Sequence, residues 1–193
     1  PPRSTLFPYT TLFRSIGYGA FSDCTSLKYI EIPSNVTKIE NHTFSKCVSL
    51  TSITIPNSVT EIGNEAFSEC KSLTSITIPN SVTIIGGNAF LWCSSLIIYC
   101  EATSKSDGWS SNWNPGDRPV YYEITNDNKV EKGGITYVIK NNEAIVTKFA
   151  ANGTLSIVPS TIEFNEKTYD VKVIGRYAFS YTSLMDIIIP SSV

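Results

Sequence analysis

The sequence predicts a mainly β solenoid of 23-residue coils with short helical or 3-10 turns, capped, then a β-hairpin and a second partial array. Three observations carry this. Phe21, Phe44, Phe67 and Phe90 recur at one constant interval, and Cys24, Cys47, Cys70 and Cys93 keep the same step. So do Leu27, Leu50, Leu73 and Leu96. Finally, Ile30-Glu31-Ile32-Pro33 recurs as Ile53-Thr54-Ile55-Pro56 and Ile76-Thr77-Ile78-Pro79. A fixed period in the low twenties means that each unit buries its apolar side only by stacking on its neighbours.

Within a unit, Leu-x-x-Ile-x-Ile alternates apolar and polar residues and reads as a short strand with one buried face. Proline follows at Pro33, Pro56 and Pro79 and stops the strand, since it supplies no ladder N–H. A second extended piece, such as Val59-Thr60-Glu61-Ile62, turns Val and Ile inward, and Gly63 and Gly86 permit a corner. Ala66-Phe67-Ser68-Glu69-Cys70 predicts one helical or 3-10 turn back to the next Leu. The fourth unit loses one residue and its proline, so Ile98 and Cys100 are expected to point inward. Gly108 to Gly116 is turn-rich and reads as a cap, with Pro119-Val120-Tyr121-Tyr122 as a last strand.

Units such as Leu73-Thr74-Ser75-Ile76-Thr77-Ile78-Pro79, closed by Gly86, Ala89, Phe90 and Cys93, resemble the BspA-like leucine-rich repeat family. The resemblance covers most of residues 16–103 and returns at 155–193. It implies a solenoid on secreted or surface-anchored proteins of bacteria and some protists, with roles in adhesion and protein binding.

Residues 5–15 resemble the in-frame translation of a common sequencing adapter, so residues 1–15 are expected to be non-native. Phe7, Tyr9 and Phe13 nonetheless lie one full period before Ile30, Ile32 and Val36, which would let the segment dock as a makeshift first strand. Residues 16–122 are expected to form the leucine-rich repeat solenoid with its C-terminal cap. A linker at 123–133 follows, then a hairpin and the start of a second array at 134–193. Ile135 to Ile139 and Ala144 to Thr147 flank Lys140-Asn141-Asn142-Glu143 as a hairpin. Nine extra residues after Pro159 predict a second one around Asn165-Glu166-Lys167. Because the repeat is interrupted at Val193, the chain is expected to be part of a longer reading frame.

Composition narrows the function. At 193 residues and 41% hydrophobic content the chain can bury a core, and its net charge of −2 leaves no basic footprint for nucleic acid. No apolar run approaches the roughly 20 residues that span a bilayer. Five cysteines fall in no clustered pairs, so neither a disulfide framework nor a zinc motif is indicated, and no metal or other cofactor is expected. The ladder of Cys24, Cys47, Cys70 and Cys93 spreads along an axis instead of converging on a point, which suits buried free thiols. His42 is the only histidine, so a serine or cysteine nucleophile has little choice of base. No catalytic residue is expected.

The outward strand positions Tyr29, Glu31, Ser52, Thr54, Ser75 and Thr77 form the candidate recognition face, although any solvated solenoid would show such rows. Trp109 and Trp113 are a candidate aromatic platform for a sugar or peptide, or the cap that hides the end of the stack. The expectation is a monomeric, non-catalytic extracellular adhesion module. Its ligand would be a protein or glycan on host or neighbouring cells, with no nucleic acid and no membrane insertion. The alternative is an accessory binding or spacer region of a larger secreted enzyme.

Overall fold

Each period of the sequence folds into one coil carrying two short strands. The computed structural model describes residues 14–149, 155–180, 182–184 and 186–193. Phe7, Tyr9 and Phe13, expected as a first strand, lie outside the described residues. The chain divides into two units, the first ending at Glu123 and the second spanning Ile124–Val193.

In the first unit the strands are β1 (Ser15–Ile16), β2 (Tyr29–Glu31), β3 (Lys38–Ile39), β4 (Ser52–Thr54), β5 (Glu61–Ile62), β6 (Ser75–Ile78), β7 (Ile84–Ile85), β8 (Ile97–Cys100) and β9 (Val120–Tyr121). Every pairing among them is parallel. One stack runs β1-β3-β5-β7; the other is divided into β2-β4 and β6-β8-β9. Register follows the period: Lys38 faces Glu61 and Glu61 faces Ile84, while the shortened fourth unit sets Ile76 against Ile98. Side chains of like identity therefore stand over one another between the two stacks. Phe44, Phe67, Cys47, Cys70, Cys93, Leu50, Leu73, Ile39, Ile62 and Ile85 are all fully buried. Ile98 and Cys100 point inward as expected.

The phenylalanine turn holds two successive i to i+3 hydrogen bonds, Ser68 N–H to Glu65 and Cys70 N–H to Phe67. It does not run on as a helix, because Glu65 and Glu69 have φ of 53° and 59°. The same left-handed pair recurs as His42 and Lys46 and as Asn88 and Trp92, and no helix occurs among the described residues. Left-handed residues interrupt right-handed helical bonding, so the turn stays one coil wide.

The second unit holds β10 (Lys129–Lys132), β11 (Ile135–Lys140), β12 (Glu143–Phe149), β13 (Leu155–Ile157), β14 (Thr161–Phe164), β15 (Lys167–Ile174) and β16 (Asp186–Ile188). A five-stranded sheet runs β10-β11-β12-β15-β14, and β13 pairs with β16 in parallel. The segment expected as a linker thus contributes a strand, since Lys129–Lys132 pair with β11 across Gly133-Gly134. Both glycines have positive φ, as do Asn141 and Asn142 in the next hairpin and Asn165 and Glu166 in the third. Two left-handed residues in each two-residue loop are what a hairpin with the sheet's natural twist requires. The repeat resumes before Leu155. β12 pairs in parallel with β15, and the Phe149 N–H donates to Ala178 O at 2.8 Å, as the Phe21 N–H does to Thr43 O. No Leu or Pro landmark precedes Phe149, which hides this coil from the sequence pattern.

Candidate recognition face

The alternation of Ile-x-Ile decides which side chains face outward. Ile53 and Ile76 are buried, whereas Tyr29, Glu31, Ser52 and Thr54 are exposed and Ser75 and Thr77 half-buried. Parallel register sets Tyr29 beside Ser52 and Glu31 beside Thr54. Ser75 and Thr77 lie on the neighbouring β6, which pairs with β8 and not with β4. The polar rows then stop. Ile97 and Tyr99 take the next positions beyond Ser75 and Thr77, and both are buried. Tyr99 stacks on Tyr121 with ring centroids 5.9 Å apart. The face is thus two neighbouring patches, with an aromatic and a carboxylate at one end and hydroxyls at the other.

The tryptophans are placed differently. Trp109 and Trp113 are buried and meet edge-on at 4.8 Å, and the Trp109 Nε1–H donates to Val82 O at 3.1 Å. Trp113 sits edge-on against Phe90 at 6.0 Å, and the Trp109 backbone bridges to Ile85 in parallel. The Ser110 N–H donates to Ile85 O and the Asn88 N–H to Asn112 O. This segment is a degenerate further coil in register with the stack, and it offers no open aromatic platform. One sequence signal for this was available: Trp113 lies one full period after Phe90.

The cysteine ladder is built of free thiols. Cys47 Sγ–H donates to Phe21 O at 3.1 Å, Cys70 to Phe44 O at 3.2 Å and Cys93 to Phe67 O at 3.0 Å. Each thiol adds a second hydrogen bond to a carbonyl of the preceding coil that already accepts the N–H of that coil's own cysteine. Burial pushes the Cys47 thiol up to about 11 and those of Cys93 and Cys100 to about 12, from an ordinary 9.0, and raises Cys70 further. Neutral buried thiols are poor nucleophiles and poor metal ligands. Among the described residues no group of three or more His, Cys, Asp or Glu is placed to hold a metal.

A pH dependence follows. Unfolded thiols lose their protons near pH 9, while the folded ones keep theirs to about 11 or 12. The unfolded state then binds fewer protons, so stability is expected to fall as pH rises from about 9 towards 12. Denaturant midpoints under reducing conditions at pH 7, 9 and 10.5 check this. A midpoint that stays constant to pH 10.5 contradicts it.

His42 has φ of 56°, its ring meets Tyr18 edge-on at 5.3 Å, and Nδ1 lies 3.6 Å from a Glu65 carboxylate oxygen. Glu61 is bound by Lys38 at 3.1 Å. All four side chains are half-buried and reach water. They tie coil to coil.

The model of the BspA type leucine rich repeat region matches six copies, over residues 6–106 and 145–193. The chain belongs to the BspA-type leucine-rich repeat family. Repeats of this family form a fold that generally binds proteins and typically serves as a non-catalytic scaffold. Among curated proteins none matches the sequence. Of solved structures, a T. pallidum leucine rich repeat protein is 43% identical over 46% of this chain and 42% of its own, with a TM-score of 0.45. A leucine-rich repeat protein from Bacteroides ovatus is 25% identical over 94% of this chain and 42% of its own, also at 0.45. A leucine rich cell surface protein from Faecalibacterium prausnitzii is 25% identical over 90% and 57%, at 0.45. The chain spans less than two thirds of the length of each.

Proposed function

We propose that this BspA-type chain is a non-catalytic adhesion module that acts outside the cell or on its surface. It binds, as a monomer, a protein or glycan on host or neighbouring cells. The observation that carries this reading is the strand face, where Tyr29, Glu31, Ser52 and Thr54 stand in register and exposed, with the half-buried Ile30 and the buried Ile53 turned inward between them. Such a face is rigid before a ligand arrives, so its side chains lose little freedom on binding. Glu31 and the exposed Tyr29 ring give one end an acidic and aromatic character, and aromatic anchors are common centres of binding energy. No helix among the described residues is long and apolar enough to cross a membrane.

The test is binding of the fluorescently labelled chain to epithelial and bacterial cells. The double variant Thr54→Lys/Thr77→Lys is expected to bind about tenfold more weakly with an unchanged unfolding midpoint, since two ammonium groups would interrupt the face. Unchanged binding assigns recognition to another surface. Parent protein that binds neither cell type overturns the adhesion reading.

A further inference from the structure

The five-stranded sheet of the second unit has two ends, β10 and β14, and both line the same groove. Lys132 comes from β10, and Thr161, Ile162 and Glu163 from β14. The floor is Ile135, Tyr137 and Ile162, all buried, and Ile157 stands 60% exposed at its side. The groove encloses about 530 Å³ and continues into a second depression of about 340 Å³ that shares Lys132 and Glu163 and reaches the hairpin tip at Asn165 and Glu166. A terminal strand presents main-chain N–H and C=O groups that only another strand satisfies in series.

The two ends are not alike. β10 reads Lys-Val-Glu-Lys and carries lysine at both extremes, a common guard against further pairing. β14 reads Thr-Ile-Glu-Phe, with no lysine, proline or glycine inside it. Its four residues span roughly 13 Å, the length of four residues of extended chain. Its single exposed charge is Glu163, and an opposite charge directly across a strand pair is favourable.

We propose that β14 accepts an extended segment of a partner protein as an added strand, laid in this groove with an apolar side chain towards Ile157 and Ile162 and a basic one beside Glu163. The exposed Ile157 supplies apolar burial, the outer edge of β14, unpaired among the described residues, supplies main-chain hydrogen bonds, and Glu163 with Lys132 sets the polarity of the segment. This site is separate from the strand face of the first unit and stands or falls independently of it.

The test uses the 15N-labelled 193-residue chain and a blocked hexapeptide that alternates valine with threonine and carries one lysine near its centre. The amide signals of residues 161–164 are expected to shift and to gain protection from hydrogen exchange. Glu163→Lys is expected to weaken binding of this peptide about tenfold, and the same peptide with glutamate for lysine to regain it. Three results overturn the proposal. One is no change at residues 161–164 with either peptide. Another is peptide binding that Glu163→Lys leaves unaltered. The last is protection of those amides in the chain alone that grows with its concentration, which assigns the edge to a second copy.

Discussion

Gly63→Ala is expected to destabilise the first unit by at least about 3 kcal/mol, although it adds a single methyl group. A Cβ at Gly63 would lie 2.5 Å from both the backbone N and the Oδ1 of Asn41, and 2.7 Å from the Glu40 carbonyl carbon. Two of these three atoms are backbone of the coil beneath, so no side-chain rotation relieves the contact. The Asn41 Oδ1 also accepts the Asn64 N–H at 2.8 Å, and the Asn64 Oδ1 accepts the Gly87 N–H at 2.7 Å. Lifting one coil would break this chain of hydrogen bonds as well. Gly86→Ala meets the same obstacle one coil further on, at 2.4 Å from Asn64 N. Gly17→Ala is the control: among the described residues nothing lies within 4 Å of its added Cβ, and it should shift stability by about 0.5 kcal/mol or less. Equilibrium urea unfolding of the three variants decides it. Equal midpoints for Gly63→Ala and Gly17→Ala would show that coil spacing is not set at the corner.

Phe67→Ala is the second large effect, at about 3–5 kcal/mol. Phe67 is fully buried, with ring centroids 5.3 Å from Phe44 and 5.7 Å from Phe90 and interplanar angles of 15° and 5°. Removing the ring opens a cavity and deletes two aromatic contacts, each contributing about 0.5–1.5 kcal/mol beyond area burial. Coils above and below are held by their own hydrogen bonds at the fixed strand spacing, so they cannot collapse into the space. Phe21→Ala should cost clearly less, because Phe21 is only half-buried and stacks on Phe44 alone among the described rings. A smaller midpoint shift for Phe67→Ala than for Phe21→Ala would contradict the ladder as the main support of the stack.

How much of this was legible in the residues depends on which interaction placed them. The inward positions were, because Phe, Cys, Leu and Ile recurring at one constant step have one arrangement that buries them all. The outward rows were legible only as positions. Their division between β2-β4 and β6-β8, and their end at the buried Ile97 and Tyr99, depend on main-chain pairing that side-chain spacing does not encode. Trp109 and Trp113 had two readings as long as their depth was open, since an indole serves equally as a lid or a platform.

Residue order alone therefore specified the repeat, its register and the family of the fold, since periodic burial leaves a coil no other way to hide its apolar side. Stacking in three dimensions settled where strands end, which carbonyl each thiol donates to and which strands bound the second sheet. Those outcomes rest on hydrogen bonds and close approaches between successive coils, such as Cys93 to Phe67 O, and on the long-range pairing of β12 with β15. Geometry of that kind arises only when the coils are stacked, and no local run of residues carries it.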